Sequence, residues 1–172
     1  KEKDEAKSKG VNVVEKVIAV DGIAVIVNPE NPINELTMEQ IKKVFTGAYK
    51  NWKELGGPDQ PITALSRESN SGTYVFVLNK ENFAPTVKLM PASSAISQSV
   101  GQDKWSIGYL GLGYTKEGNV KVLNVKKDQN SPAVTPNHNT VLDKSYSIAR
   151  PLFLIFNGEP QGINAALLEF AV

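Results

Sequence analysis

The sequence predicts an α/β fold, and three observations carry that prediction. Short apolar runs bounded by turn residues alternate with segments whose apolar residues recur at helical spacing. Apolar residues make up 41% and charged residues 22%, a globular rather than a disordered composition. The two longest apolar segments, near residues 12–27 and 146–156, lie at opposite ends of the chain and bracket the rest as a compact lobe.

In chain order, Lys1 to Lys9 (KEKDEAKSK) reads as an exposed helix, with Glu2, Asp4 and Glu5 preceding Lys7 and Lys9 at stabilising spacing. Val11 to Val20 and Ile23 to Val27 read as buried strands covered by helices and separated by the Asp21-Gly22 interruption. Asn28 to Pro32 is a loop, because its two prolines remove donors and hold their neighbours extended. Thr37 and Gln40 form a capping box for a helix whose apolar stripe is Met38, Ile41, Val44 and Phe45, ended by Gly47. Trp52 and Leu55 belong to a short helix closed by Gly56-Gly57-Pro58, and Ile62 to Leu65 is the next strand. Thr73 to Leu78 turns apolar again, with a buried helix as one reading of it.

Ser93 and Ser94 are placed to cap a helix carrying Ile96 and Val100. Ile107 to Tyr114 (IGYLGLGY) is a strand whose glycines mark close packing against the backbone. Val120 to Val125 alternates as a strand does, and Ser131 to Asn139 is a loop containing His138. Tyr146 to Phe156 reads as a long buried strand with Pro151 at an edge or crossing point, and Gln161 to Phe170 as a helix with Ile163, Ala166, Leu167 and Phe170 on its apolar face.

Several function classes fall away. Lys plus Arg is 19 and Asp plus Glu is 18, a net charge of +1, so there is no polybasic face for nucleic acid. With no cysteine there is no disulfide, thiol nucleophile or Cys-type zinc site, and the one histidine excludes a His-only metal cluster. Neither a phosphate-binding G-x-x-x-x-G-K-[ST] run nor a G-x-S-x-G elbow occurs. No segment reaches the ~18 apolar residues of a spanning helix, and the charged start is not a signal peptide.

The segment Ser66-Arg67-Glu68-Ser69-Asn70-Ser71-Gly72-Thr73 concentrates the chemistry. Small hydroxyl residues and a glycine ahead of a helix offer unpaired N–H groups to an anion, and an arginine adds a planar fork of donors. Together they form a nest for a small tetrahedral oxyanion. The same residue types are also ordinary helix caps, and composition alone favours that reading. The density of polar residues between two apolar runs favours the oxyanion.

These residues, with DGIAVIVNPENPI (21–33), FTGAYKNWKELGG (45–57), SRESNSGTYVF (66–76), IGYLGLGY (107–114) and YSIARPLFLIF (146–156), resemble the substrate-binding protein of the high-affinity phosphate ABC transporter. The resemblance covers nearly the whole chain in the family's order. It implies a periplasmic-binding-protein-like lobe, a mixed sheet flanked by helices, with crossover hinge strands. Residues 1–20 would be a remnant of a first lobe and 21–28 a crossover strand. Residues 29–145 would form the second lobe with the phosphate-binding loop, 146–156 the returning crossover, and 157–172 a further remnant of the first lobe. Phosphate would be held by Arg67, Ser71, Gly72 and Thr73, with Glu68, Ser69 and Asn70 in support. The family's acidic residue two positions after the arginine is Ser69 here, and the glycine that often precedes Ser-Gly-Thr is Asn70.

The resemblance further implies a ligand, inorganic phosphate, with no cofactor, no metal and no catalysis. An ABC permease in the membrane would be the partner. The missing first lobe or a second copy of the chain would complete the receptor. The location would be periplasmic or extracellular, a lipid-anchored form included, with Lys1 reading as a cut within a longer exported chain. Alternatives are an oxyanion receptor for sensing or adhesion, or a phosphoryl-transfer enzyme; the last lacks a metal cluster, a base near the serine and a P-loop lysine.

Overall fold

The computed structural model describes residues 2–68, 82–116 and 118–172. They divide into two units, one built from Lys1–Asp21 and Arg150–Val172 and the other from Gly22–Ala149.

In the larger unit, the last five residues of β1 (Val13–Val27) are fully buried. They run antiparallel to β5 (Ser106–Gly111), with Ile23 opposite Gly111 and Val27 opposite Ile107. β3 (Thr63–Arg67) lies parallel to β5 on one side and to β4 (Lys88–Met90) on the other. β6 (Lys121–Val122) adds antiparallel to β1, giving the order β4-β3-β5-β1-β6. The sheet is therefore mixed and flanked by helices. Helix α3 (Ser93–Gln102) lays Ile96 and Val100 on Ala24, Ile26, Leu65 and Leu110. A smaller sheet, β2-β7-β8, joins Glu35–Thr37, Asn124–Lys126 and Ala133–Val134.

Local chemistry sets the helix ends. At α2 (Met38–Phe45) the Gln40 N–H donates to Thr37 Oγ1 (3.1 Å) and the Thr37 N–H to Gln40 Oε1 (2.9 Å), the capping box expected from sequence. Ile41, Val44 and Phe45 are buried, while Met38 is only partly so. The short helical turn Trp52–Leu55 is capped by Asn51 and ends at Gly56 in the left-handed conformation. His138 is exposed at the first position of α4 (His138–Leu142) rather than in a loop, because Asn137 and Thr140 form another capping box ahead of it.

The structure departs from the sequence reading at several places. Asp21-Gly22 does not break β1: the Asp21 carboxylate accepts from Arg150 Nε (3.1 Å) and Nη2 (2.9 Å). Gly22 instead allows a close approach, since a Cβ there would stand 2.5 Å from Val141 Cγ2. The stretch from Val120 to Val125 is two strands in two sheets. The buried Leu123 makes the crossing and donates its N–H to the Val25 carbonyl. Strand β5 ends at Gly111, and Leu112–Lys116 forms a helical turn. Thr73 to Leu78 lies outside the described residues.

The smaller unit holds α1 (Glu2–Ser8), the first half of β1, β9 (Ala149–Asn157, from Arg150 onward) and α5 (Ile163–Ala171). β9 pairs with β1, and the Gly158 N–H donates to the Asn12 carbonyl. Lys16 pairs with Glu159 at 2.9 Å. The sequence reads 11–20 and 146–156 as buried strands and 161–170 as a helix with one apolar face. Yet Val13 to Val20 has no fully buried position, and Leu152, Phe153, Ile155, Ile163, Leu167 and Phe170 are exposed. Tyr146 and Ile148, which belong to the larger unit, are buried. A strand is buried only as far as other elements cover its faces, and in this unit the positions of β1 and β9 are intermediate or exposed.

Candidate functional site

Arg67 ends β3 at the carboxyl end of the parallel trio β4-β3-β5, the end at which open α/β sheets take ligands. Its backbone is held by the residue before it. Ser66 is fully buried; its Oγ donates to the Arg67 carbonyl (3.0 Å) and lies 2.5 Å from the Tyr109 hydroxyl. A serine has one proton, so the tyrosine is the donor in the second bond. Tyr109 is fixed in turn by edge contact with Phe45 (5.1 Å between centroids) and by stacking with Phe83 (6.1 Å). An aromatic core thus anchors the strand end that presents Arg67.

The Arg67 side chain is half-buried. Its Nη1 donates to Ser93 Oγ at 3.3 Å, while its buried Nε has no acceptor. Among the described residues it makes no ion pair, and the adjacent Glu68 is exposed and does not engage it. The chain's other arginine is a useful contrast, because Arg150 places Nε and Nη2 together on Asp21.

Ser93 is not the cap that the sequence suggested. The capping position of α3 is Ala92, which provides no side-chain bond; Ser93 is the first helical residue and its oxygen faces Arg67. Sequence reading missed this contact, and it missed the Ser66–Tyr109 pair. A signal existed for the second in a polar residue inside an apolar strand, which needs a partner when buried. Of the predicted ligands and supports, Arg67 and Glu68 are placed by the structure. Ser69, Asn70, Ser71, Gly72 and Thr73 lie outside the described residues. Among the described residues no cluster of three or more His, Asp or Glu could hold a metal, and no helix is long and apolar enough to cross a membrane.

The family model for the PBP (periplasmic-binding-protein) superfamily domain matches residues 1–172. The phosphate-binding protein PstS of Staphylococcus aureus is 36% identical over 177 residues, covering 98% of this chain and 54% of the relative. The chain thus spans about half the length of the curated relatives it matches. Among solved structures, a protein from Clostridium perfringens described as a phosphate ABC transporter substrate-binding protein with bound phosphate superposes with a TM-score of 0.79. That match has 32% identity and covers 97% of this chain and 67% of the other. An ABC-type phosphate transport receptor from Vibrio cholerae gives 0.78 at 26% identity, covering 92% of this chain and 66% of the other. Matched along its whole length, and with a mixed sheet flanked by helices like those of these structures, the chain belongs to the PBP superfamily, with phosphate-binding proteins of ABC transporters among its relatives.

Proposed function

We propose that this chain is the phosphate-holding part of an extracytoplasmic receptor that delivers inorganic phosphate to an ABC permease, and that it performs no catalysis. The carrying observation is Arg67: a half-buried guanidinium with a buried, acceptor-less Nε and no carboxylate partner among the described residues. A charge withdrawn from water without a counter-ion is costly, and a bound oxyanion supplies one. The names of the relatives select phosphate as that anion. In this reading Ser71 and Thr73 donate from hydroxyl and backbone, Gly72 from its N–H, and Glu68, Ser69 and Asn70 shape the loop between them and Arg67.

A charge-assisted hydrogen bond contributes about 1.5–3 kcal/mol. Several of them, less the cost of association, leave about −4 kcal/mol, a millimolar constant. Micromolar binding needs about −8 kcal/mol, which calls for donors on the anion's other side. Those donors would come from the rest of a first lobe or from a second copy. The apolar side chains exposed on β9 and α5 are consistent with such a covering layer, since so many large apolar groups on two neighbouring stretches of sequence invite a partner.

Calorimetric titration with phosphate, run beside sulfate and in R67Q, tests the reading. Millimolar phosphate binding that R67Q abolishes is the expected result. Unchanged binding in R67Q, or a submicromolar constant for this chain alone, overturns it.

A further inference from the structure

We infer that Ser93 is a positioning residue for Arg67, fixing the guanidinium so that its Nε–Nη2 edge faces the anion. The inference rests on the phosphate reading above and adds to it a residue from a different element. A guanidinium offers a side-on edge, Nε with Nη2, that matches two oxygens of a carboxylate or phosphate. Arg150 shows this chain using that edge, with both atoms on the Asp21 carboxylate. In Arg67 the remaining nitrogen, Nη1, is the one engaged, by Ser93 Oγ at 3.3 Å. Nε is buried and has no acceptor. The Nε of the side-on edge is therefore left without an acceptor, and a bond at Nη1 restricts the torsions that would swing that edge away.

Ser93 is suited to this task by where it stands. It is 9% exposed. It opens a helix whose Ile96 and Val100 are locked into the core against the sheet that carries Arg67. The chain reaches it three residues after Met90, the β4 residue paired with Arg67. A hydroxyl on a rigid helix is thus fixed against the last residue of the neighbouring strand. A neutral acceptor also suits the role, since a carboxylate there would neutralise the arginine that must meet an anion.

The test titrates inorganic phosphate into isotopically labelled chain and follows the Arg67 Nε–Hε resonance, identified by its loss in R67Q. In the unmodified chain phosphate should shift that resonance and slow its exchange with water. S93A should weaken phosphate about fivefold to tenfold with the thermal midpoint unchanged, and should leave the Hε exchange fast in the bound state. S93T, which keeps the hydroxyl, should bind like the parent, and the near-isosteric S93V should bind like S93A. This pair keeps the test decisive where a smaller side chain disturbs the helix. In R67Q the S93A change should have no further effect. Binding in S93A and S93V within twofold of the parent, with R67Q still deficient, overturns the role of Ser93 and leaves the phosphate reading standing. Undiminished phosphate binding in R67Q overturns both.

Discussion

Adding one methyl group at Gly108 tests whether the core and the proposed anion site are mechanically joined. Gly108 lies in β5, opposite Ile26 on one neighbour and Leu65 on the other. A Cβ there would stand 2.6 Å from Ile96 Cγ2, 3.4 Å from Val100 Cγ2 and 3.5 Å from the Leu65 carbonyl oxygen. Carbon atoms rest about 3.5–4.0 Å apart, so α3 must withdraw by about 1 Å or Ile96 must rotate. Rotation is blocked: Ile96 is fully buried among Ala24, Leu65 and Leu110, and a β-branched residue in a helix has one strongly preferred rotamer. Overpacking of this kind costs about 1–3 kcal/mol, a fall in thermal midpoint of about 2–12 °C at this chain length. Ser93 is one turn before Ile96 on the same helix. A withdrawal of about 1 Å stretches its 3.3 Å bond to Arg67 past hydrogen-bonding range, so G108A should also weaken phosphate as S93A does. Urea and thermal unfolding with phosphate titration read both effects. In an I96A background the added methyl should cost almost nothing, as expected of groups in contact. Stability of G108A within about 0.5 kcal/mol of the parent would refute the reasoning.

Tyr146 is buried and donates its hydroxyl to the Ile23 carbonyl at 2.8 Å, so Y146F should lose about 1 kcal/mol in urea unfolding. Burial raises this phenol above its ordinary value, so its contribution is complete below about pH 10 and falls by up to about 1.4 kcal/mol per unit above it; that part of the alkaline slope should be missing from Y146F. T37A removes the α2 capping box and should cost about 1 kcal/mol by thermal unfolding, with the helix otherwise intact by circular dichroism. The double change I155S/F170S alters two exposed apolar side chains and should reduce concentration-dependent association in sedimentation velocity, with stability within about 0.5 kcal/mol. R67K keeps the charge and loses the fork, so phosphate titration should show most of the R67Q defect.

What the sequence made legible was local. Thr37 with Gln40 announces a helix start, and Gly56 after Leu55 a helix stop, because capping is settled within a few residues. The glycines of Ile107 to Tyr114 announced close packing, and Gly108 against Ile96 is where it occurs. Burial was less legible. Tyr146 to Phe156 is apolar throughout, yet Tyr146 and Ile148 are buried while Leu152, Phe153 and Ile155 are exposed. Composition reports what a strand can bury; the elements stacked on it decide what it does bury. Asp21-Gly22 looked like a turn because its partners, Arg150 and Val141, stand more than a hundred residues away. At the site, Arg67 was legible as the arginine of a dense polar run between two apolar stretches. Ser93 was not, because its function depends on α3 and β3 being neighbours, which no local pattern encodes.

The two arginines show how one chain can use the same group in opposite ways. Arg150 meets an aspartate with its side-on edge, and charge and geometry are both satisfied. Arg67 has an equivalent edge and no such partner among the described residues, yet it is not left to wander. Its strand end is tied through Ser66 to a buried tyrosine, and its Nη1 is tied to a helix. A surface arginine without a counter-ion costs nothing, because water solvates it and its torsions stay free. An arginine that is half-buried, restrained at both ends and without a carboxylate partner among the described residues has given up solvation and freedom for one hydrogen bond to a neutral serine. In the proposed reading the compensation arrives from outside, as an anion small enough to reach a sheet end and able to accept from Nε. The near-neutral charge of the whole chain sharpens the point, since no large net charge draws anions to it. On that proposal, selection for the anion is a matter of a few donors around one guanidinium, and displacing the helix proposed to orient it, as Gly108→Ala does, should be felt by the ligand as well as by the fold.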